Sequence, residues 1–132
     1  MSGMTFAEAQ VMGFLGRDPE YRTTQGGKEN AQLRIITSVA WKGDDGTMQT
    51  RTYGHDVIIW HHSIVALLKE RGVRKGALVY VSGELTPRTY KSRDGSSRTV
   101  VEIVVKNFSG RVVLPPRDRP DRGGDAEKEG EV

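Results

Sequence analysis

Nearly every segment of this 132-residue sequence alternates apolar and polar residues as a β-strand does, and only one segment has helical spacing. Ile64, Val65, Leu67 and Leu68 recur at the spacing of an amphipathic helix, and Gly72 follows as a stop signal. A layered α/β fold would need several helices. The sequence therefore predicts an all-β fold with one helix.

The predicted strands lie on both sides of this helix. Three long strands precede it and two follow it: Thr5 to Leu15, Asn30 to Trp41, Thr50 to Trp60, Ala77 to Thr86, and Thr99 to Val105. Pro87 is predicted to break the fourth, and Tyr21 to Thr24 and Phe108 to Leu114 are shorter strands. This order is that of the OB-fold, a five-stranded Greek-key barrel with a helix between the third and fourth strands.

Turn signals and charge divide the chain into a folded body and a tail. Asp45-Gly46 and Asp94-Gly95 predict two hairpins, which in an OB-fold flank the ligand face. We expect one domain over residues 1–114 and a disordered acidic tail over residues 115–132, which contain six acids and four bases for a net charge of −2. The body has 16 bases and 11 acids, a net charge of +5 that suits a polyanionic partner.

Several classes of function lack their residues in this sequence. Without cysteine, disulfides, thiol catalysis and cysteine zinc sites are excluded. His61 and His62 are adjacent and point apart on a helix, and His55 has no partner at ligand spacing, so we predict no metal or other cofactor. No catalytic constellation is evident. No apolar run nears the roughly 20 residues of a membrane span, and we expect a cytoplasmic, non-enzymatic protein.

Three aromatic residues are candidates for stacking on unpaired nucleobases, which expose their π-faces. Tyr90 lies between Arg88 and Lys91 in the second hairpin, and Trp41 ends a strand next to Lys42. For both, the alternative is packing on a neighbouring loop. Trp60 ends the third long strand just before the helix, a corner where a large core residue is equally expected.

Basic residues near these aromatics are candidates for contacts with phosphate, the second requirement of single-strand binding. Any one of them is equally explained as a solvated surface charge. Arg88 and Lys75 are preferred because Arg88 shares the hairpin of Tyr90 and Lys75 lies in a Lys-Gly turn. The full set is Arg34, Arg51, Arg74, Lys75, Arg88, Lys91, Arg93 and Arg98.

An ordered series of segments resembles the bacterial single-stranded DNA-binding protein family over residues 5–114. It comprises the run from Gly13 to Arg22, with Gly13-Phe-Leu-Gly16 and Asp18-Pro19, and the run from Lys75 to Leu85, together with Trp41, Trp60 and Tyr90. The resemblance implies an OB-fold that binds single-stranded DNA and forms homotetramers. It places Trp60 on a base-stacking position and His55 at a contact between subunits.

Two positions depart from the family pattern in the third long strand. Gly54 stands where the family places a stacking Trp, and Asp56 stands where a basic residue is common. Strand alternation puts both on one face with Ile58 and Trp60. We therefore expect one stacking platform fewer and an added negative charge on the DNA face. A bulge at Gly54 could also bring Tyr53 to that face.

The tail departs from the family as well, because it is acidic but lacks the closing Ile-Pro-Phe that docks partner enzymes. We do not expect it to recruit replication or repair proteins. The sequence thus predicts sequence-independent protection of single-stranded DNA in replication, recombination and repair. The alternative is a primosomal-type OB-fold adaptor that mainly binds proteins, which the loss at Gly54 favours and the retained aromatics oppose. A hydrolase would need clustered acids or a metal site.

Overall fold

The computed structural model describes residues 5–107 and 109–115, which form seven strands and one helix. In chain order these are β1 (Glu8–Leu15), β2 (Glu20–Thr23), β3 (Glu29–Lys42), β4 (Met48–Ile59), α1 (His62–Arg71), β5 (Leu78–Lys91), β6 (Ser97–Val105) and β7 (Arg111–Val113). The five long strands and the helix follow the predicted order, with α1 between β4 and β5. The predicted all-β OB-fold is confirmed, with β2 and β7 as short additions.

The strands close into a barrel in the order β1-β3-β4-β6-β5, and β5 pairs with β1. All pairings are antiparallel except that of β4 with β6, which runs from Asp56 beside Glu102 to Ile59 beside Val105. The short strands β2 and β7 pair with β3 and β5. The parallel pairing of β4 with β6 joins the two long hairpins, β3–β4 and β5–β6, into one curved sheet.

The barrel core is built by alternate residues of the long strands. Leu33 and Ile35 of β3 and Val57 and Ile59 of β4 are fully buried, as strand alternation predicts. The helix adds Val65 and Leu68 to the same cluster and ends at Gly72, whose left-handed φ of 63° caps it. No helix within the described residues is long and apolar enough to cross a membrane.

The predicted break at Pro87 is wrong, because β5 runs without interruption from Leu78 to Lys91. Pro87 pairs with Val101 of β6. The pairing of β5 with β1 ends at Glu84, and the Leu85 N–H still donates to the Ala7 carbonyl at 3.0 Å. From Thr86 onward this edge of β5 has no partner strand among the described residues. Proline is tolerated at such an edge, where a missing N–H leaves no ladder bond unmade.

Close packing of β1 on β3 explains the glycines of the first strand. A methyl group built on Gly13 would lie 2.3 Å from the carbonyl oxygen of Ile36, and one on Gly16 would lie 2.8 Å from Cγ1 of the same residue. Both distances are too short for a side chain. Gly13 therefore allows the close approach of the β1 and β3 backbones, and Gly16 leaves room for the Ile36 side chain. The predicted last strand began at Phe108, which lies outside the described residues.

Candidate nucleic-acid interface

One continuous surface is formed by the side chains of β3, β4, β6 and β5 that point away from the core. Register shows its continuity: Arg34 lies opposite Asp56, Asp56 beside Glu102, and Glu102 opposite Thr86. We call this surface the outer face. Strand alternation adds further members to it: Ile36, Gly54, Ile58, Arg88, Tyr90 and Arg98.

Tyr90 lies on the outer face within the β5–β6 hairpin and is 41% exposed. The Arg88 guanidinium is over its ring, with Cζ 5.6 Å from the centroid, and Arg98 lies directly opposite on β6. Arg88 is fixed by its Nε, which donates to the Glu102 carboxylate at 3.0 Å. The structure thus joins three of the predicted residues into one aromatic and basic cluster.

Trp41 lies near the tip of the β3–β4 hairpin and is 43% exposed. The guanidinium of Arg51 is over its indole ring, 5.6 Å from the centroid. Both side chains are on the same face of the β3–β4 hairpin as the buried core residues. They lie nearer the hairpin tip, beyond the end of the core. A ring exposed to this extent is open to a base.

Trp60 lines a surface cleft and is absent from the buried core, so it does not act as the corner core residue that the sequence allowed. Lys28 lies over its ring, with Nζ 5.7 Å from the centroid. Lys106 and Asn107 line the same cleft. Lys28 was missed in the sequence, although its place after Gly26-Gly27 in a turn marked it as an exposed cation.

Arg34 is held on the outer face by Asp56, whose carboxylate oxygen lies 2.7 Å from its Nη1. The negative charge at position 56 is therefore paired within the sheet. Gly54 lies opposite Ile36 in an uninterrupted register, so no bulge occurs there and Tyr53 stays on the other face opposite Thr37. The bulge that a glycine would allow at this position does not occur, because the β3–β4 ladder is continuous from end to end.

The remaining basic candidates are divided between two places. Arg74 and Lys75 lie in the turn after α1. Together with Arg71, the last residue of the helix, they line a second cleft that also contains the exposed Phe14. The Lys75 backbone N–H donates to the Asp18 carboxylate at 2.8 Å, which ties this turn to the one after β1. Lys91 and Arg93 are exposed in the β5–β6 hairpin near its tip.

His55 is half-buried on β4, and its Nε2 lies 2.9 Å from Oγ1 of Thr37 on β3. It lines a concave surface together with apolar residues of three other strands, including Val11, Leu85 and Val101. A histidine in an apolar concavity at the barrel surface suits a protein contact. Its predicted place between subunits remains a prediction.

Aspartates shape the tips of both long hairpins. Hydrogen bonds from Ser92 and Ser96 lower the pKa of Asp94 to about 2. Hydrogen bonds from Thr47 likewise lower the pKa of Asp45. Each carboxylate ties its turn together and presents the aromatic and basic residues behind it. Among the described residues, no group of three potential ligands is close enough to hold a metal ion.

A family model described as "Single-strand binding protein family" matches residues 6–110. The chain belongs to the single-strand binding protein family. The single-stranded DNA-binding protein of Rickettsia typhi is 34% identical over 105 residues, which cover 79% of this chain and 68% of that protein. The protein of the same description from Rhizobium meliloti is 32% identical over 105 residues, covering 79% and 60%.

Two solved structures share the fold. The SSB of Plasmodium falciparum, in a complex with ssDNA, has a TM-score of 0.76 at 22% identity and matches 87% of this chain and 99% of its own. The mitochondrial single-stranded DNA-binding protein from S. cerevisiae has a TM-score of 0.57 at 24% identity and matches 84% and 96%. These likenesses show the barrel architecture.

Proposed function

We propose that this chain binds single-stranded DNA without sequence preference and protects strands that are exposed in replication, recombination and repair. The single observation that carries the proposal is the pairing of each candidate ring with a cation: Trp41 with Arg51, Tyr90 with Arg88, and Trp60 with Lys28. The family membership and the printed names of its relatives support the same function.

Each of these pairs offers the two contacts that an unpaired nucleotide can make. An exposed ring stacks on the π-face that every base has, and the neighbouring cation attracts the phosphate of the same or the next nucleotide. Stacking of this kind does not distinguish one base from another. The binding should therefore depend on whether the DNA is single-stranded and hardly on its sequence.

The proposal is for a binding protein and not an enzyme, since members of this family bind DNA without transforming it. A cytoplasmic, nucleoid-associated location remains a prediction. The primosomal-type adaptor is the less supported function, because the matching family model and the printed names of the relatives describe single-strand binding. Docking of replication or repair proteins depends on residues 116–132, which lie outside the described residues, and remains unsupported.

We also propose that the chain assembles as a homotetramer. The pairing of β1 with β3 is limited to Phe14 and Leu15, which leaves most of that edge of β1 open within the described chain. Met12 and Phe14 of β1 are 59% and 56% exposed. An open strand edge with apolar side chains is suited to contact with a second copy.

Titration of tryptophan fluorescence with poly(dT) and with duplex DNA of equal length tests the DNA-binding function. The chain has only two tryptophans, Trp41 and Trp60, and both are candidate stacking residues. Single-stranded DNA should quench the emission and bind far more tightly than duplex. Trp41→Phe and Trp60→Phe variants would assign the quenching to each ring. Equal affinity for duplex and single strand at moderate salt would overturn the proposal.

A further inference from the structure

The guanidinium of Arg34 lies flat on the backbone of Gly54. A methyl group built on Gly54 would be 2.4, 2.6 and 2.7 Å from Nη2, Cζ and Nε of Arg34. Three bonded atoms of a planar group can be nearly equidistant from a point at this range only if the point lies well above their plane. One face of the guanidinium therefore covers Gly54, in the space that any larger side chain would fill.

The opposite face of this guanidinium is available for a ligand. The Arg34 side chain is 40% exposed, and no aromatic ring of the described residues lies over it. Asp56 accepts a hydrogen bond from Nη1 at 2.7 Å and so fixes the rotation of the group. The result is a planar cation that is supported from below, fixed at its edge and open above.

We propose that Arg34 is a nucleobase-stacking platform at the centre of the outer face, seated on Gly54 and fixed by Asp56. The inference rests on the proposed binding of single-stranded DNA. Arginine guanidinium planes stack on unpaired bases as aromatic rings do. The ligand is a base of the bound strand, of any sequence, and the absence of a side chain at position 54 is what provides the seat.

The geometry favours a base over a phosphate as the ligand of Arg34. Binding a phosphate would require the edge of the guanidinium, where its N–H donors are directed. Part of that edge is already used by Asp56, whose negative charge also repels phosphate. The open flat face has no such competitor. Arg51, which is among the other basic candidates, has no carboxylate partner within the described residues and is better placed for phosphate.

The decisive test compares the wild-type protein and Arg34→Lys on two ligands of equal length, a short (dT) oligonucleotide and a strand without bases. Lysine keeps the charge and loses the plane. We expect Arg34→Lys to weaken binding of the (dT) strand by about three- to tenfold, with an unchanged dependence on salt. Affinity for the strand without bases, measured at low salt, should not change.

Of two further variants, one fills the space at Gly54 that seats the guanidinium, and the other is a control for the loss of a guanidinium elsewhere. Gly54→Val fills the space under the guanidinium with a residue suited to a strand, and should reduce (dT) affinity as Arg34→Lys does. Arg22→Lys is the matched control, since Arg22 is also exposed and also paired with a carboxylate, that of Glu20. It should leave both affinities unchanged. Thermal unfolding would establish that each variant is folded.

The possible outcomes are distinct. If Arg34→Lys lowers the affinity for both ligands equally, Arg34 binds phosphate and the proposed stacking platform is overturned. If folded Arg34→Lys or folded Gly54→Val binds the (dT) strand as the wild type does, the platform is likewise overturned while the proposed function stands. If the wild-type protein does not bind the (dT) strand, the proposed function itself fails.

Discussion

The guanidinium of Arg51 lies over the indole ring of Trp41, 5.6 Å from the centroid, although the two residues are diagonal and not opposite in the β3–β4 ladder. Among the described residues, Arg51 has no carboxylate partner, whereas Arg34 and Arg88 are both paired. The Trp41 and Arg51 pair therefore offers the clearest separation of stacking from charge in this protein.

Trp41→Ala and Arg51→Ala should affect DNA binding in different ways. Loss of the ring should cost about 1–3 kcal/mol of binding free energy and leave the salt dependence nearly unchanged. Loss of the cation should reduce the slope of log K against log salt by about 0.7, the value for one phosphate on a single strand. Anisotropy of a labelled (dT) oligonucleotide over a salt series measures both. Equal changes in slope would contradict the assigned roles.

Lys28→Ala should reduce the same slope by about 0.7, because Lys28 lies over Trp60 in an open cleft. Lys69→Ala is the matched control, since Lys69 also lies over a ring, that of Tyr21, but is paired with Glu29. The control should leave the slope unchanged. If Lys69→Ala changes the slope as much as Lys28→Ala does, the cleft at Trp60 is not the site of the phosphate contact.

Gly83→Ala should destabilise the fold by about 1–3 kcal/mol, as overpacking of a core does. Its methyl group would lie 2.5 Å from the carbonyl oxygen of Val104, and the backbone there is fixed by the β5–β6 ladder. Gly26→Ala is the control because its methyl group would meet nothing closer than 3.9 Å. Urea unfolding measures both. A Gly83→Ala protein as stable as the Gly26→Ala protein would refute the packing argument.

Stabilisation by Asp94 should disappear at low pH. Because its pKa is lowered from 3.8 to about 2 in the fold, the contribution is complete above the unfolded pKa and is lost as the pH falls through the folded pKa. Asp94→Ala should therefore be less stable than the wild type at neutral pH, and the difference should shrink between pH 4 and pH 2. Thermal midpoints measured over that range would show a constant difference if the prediction is wrong.

Deletion of residues 116–132 should leave folding intact and raise affinity for single-stranded DNA slightly at low salt. The deleted segment has six acids and four bases, and a tethered polyanion competes with DNA for the basic body. The deletion begins after Pro115 because the carbonyl of Pro115 accepts a hydrogen bond from Arg71 at 2.7 Å. Binding titrations of both proteins at low and moderate salt provide the test. A lower affinity after deletion would show that the tail assists binding.

Much of the fold could be predicted from the sequence because periodicity is a local property. Alternation of apolar and polar residues predicted a strand from Asn30 to Trp41, and β3 runs from Glu29 to Lys42. The spacing of Ile64, Val65, Leu67 and Leu68 identified the helix, and Gly72 its end. The error at Pro87 had a tertiary cause, since only the end of the β1–β5 pairing shows that this edge of β5 has no partner within the described part of the chain.

The candidate site was predictable in its residue types and in one of its three ring–cation pairs, because Arg88 is only two residues from Tyr90. Trp41, Trp60 and Tyr90 could be selected because aromatic residues beside basic residues at strand ends are visible in the sequence. Which cation meets Trp41 or Trp60 depends on strand register and hairpin twist. For that reason Lys28, 32 positions before Trp60, was missed.

The sequence by itself determined the order of the strands and of the single helix along the chain, and the basic, aromatic character of the body. These properties depend on residue type and on spacing along the chain. Only the tertiary structure decided what surrounds Gly54 and Asp56, where the sequence predicted one stacking platform fewer and an added negative charge. The β3–β4 register brings Arg34 from 20 positions away onto Gly54 and against Asp56. Contacts across a ladder are fixed by pairing, and pairing of distant segments is not encoded in any local pattern.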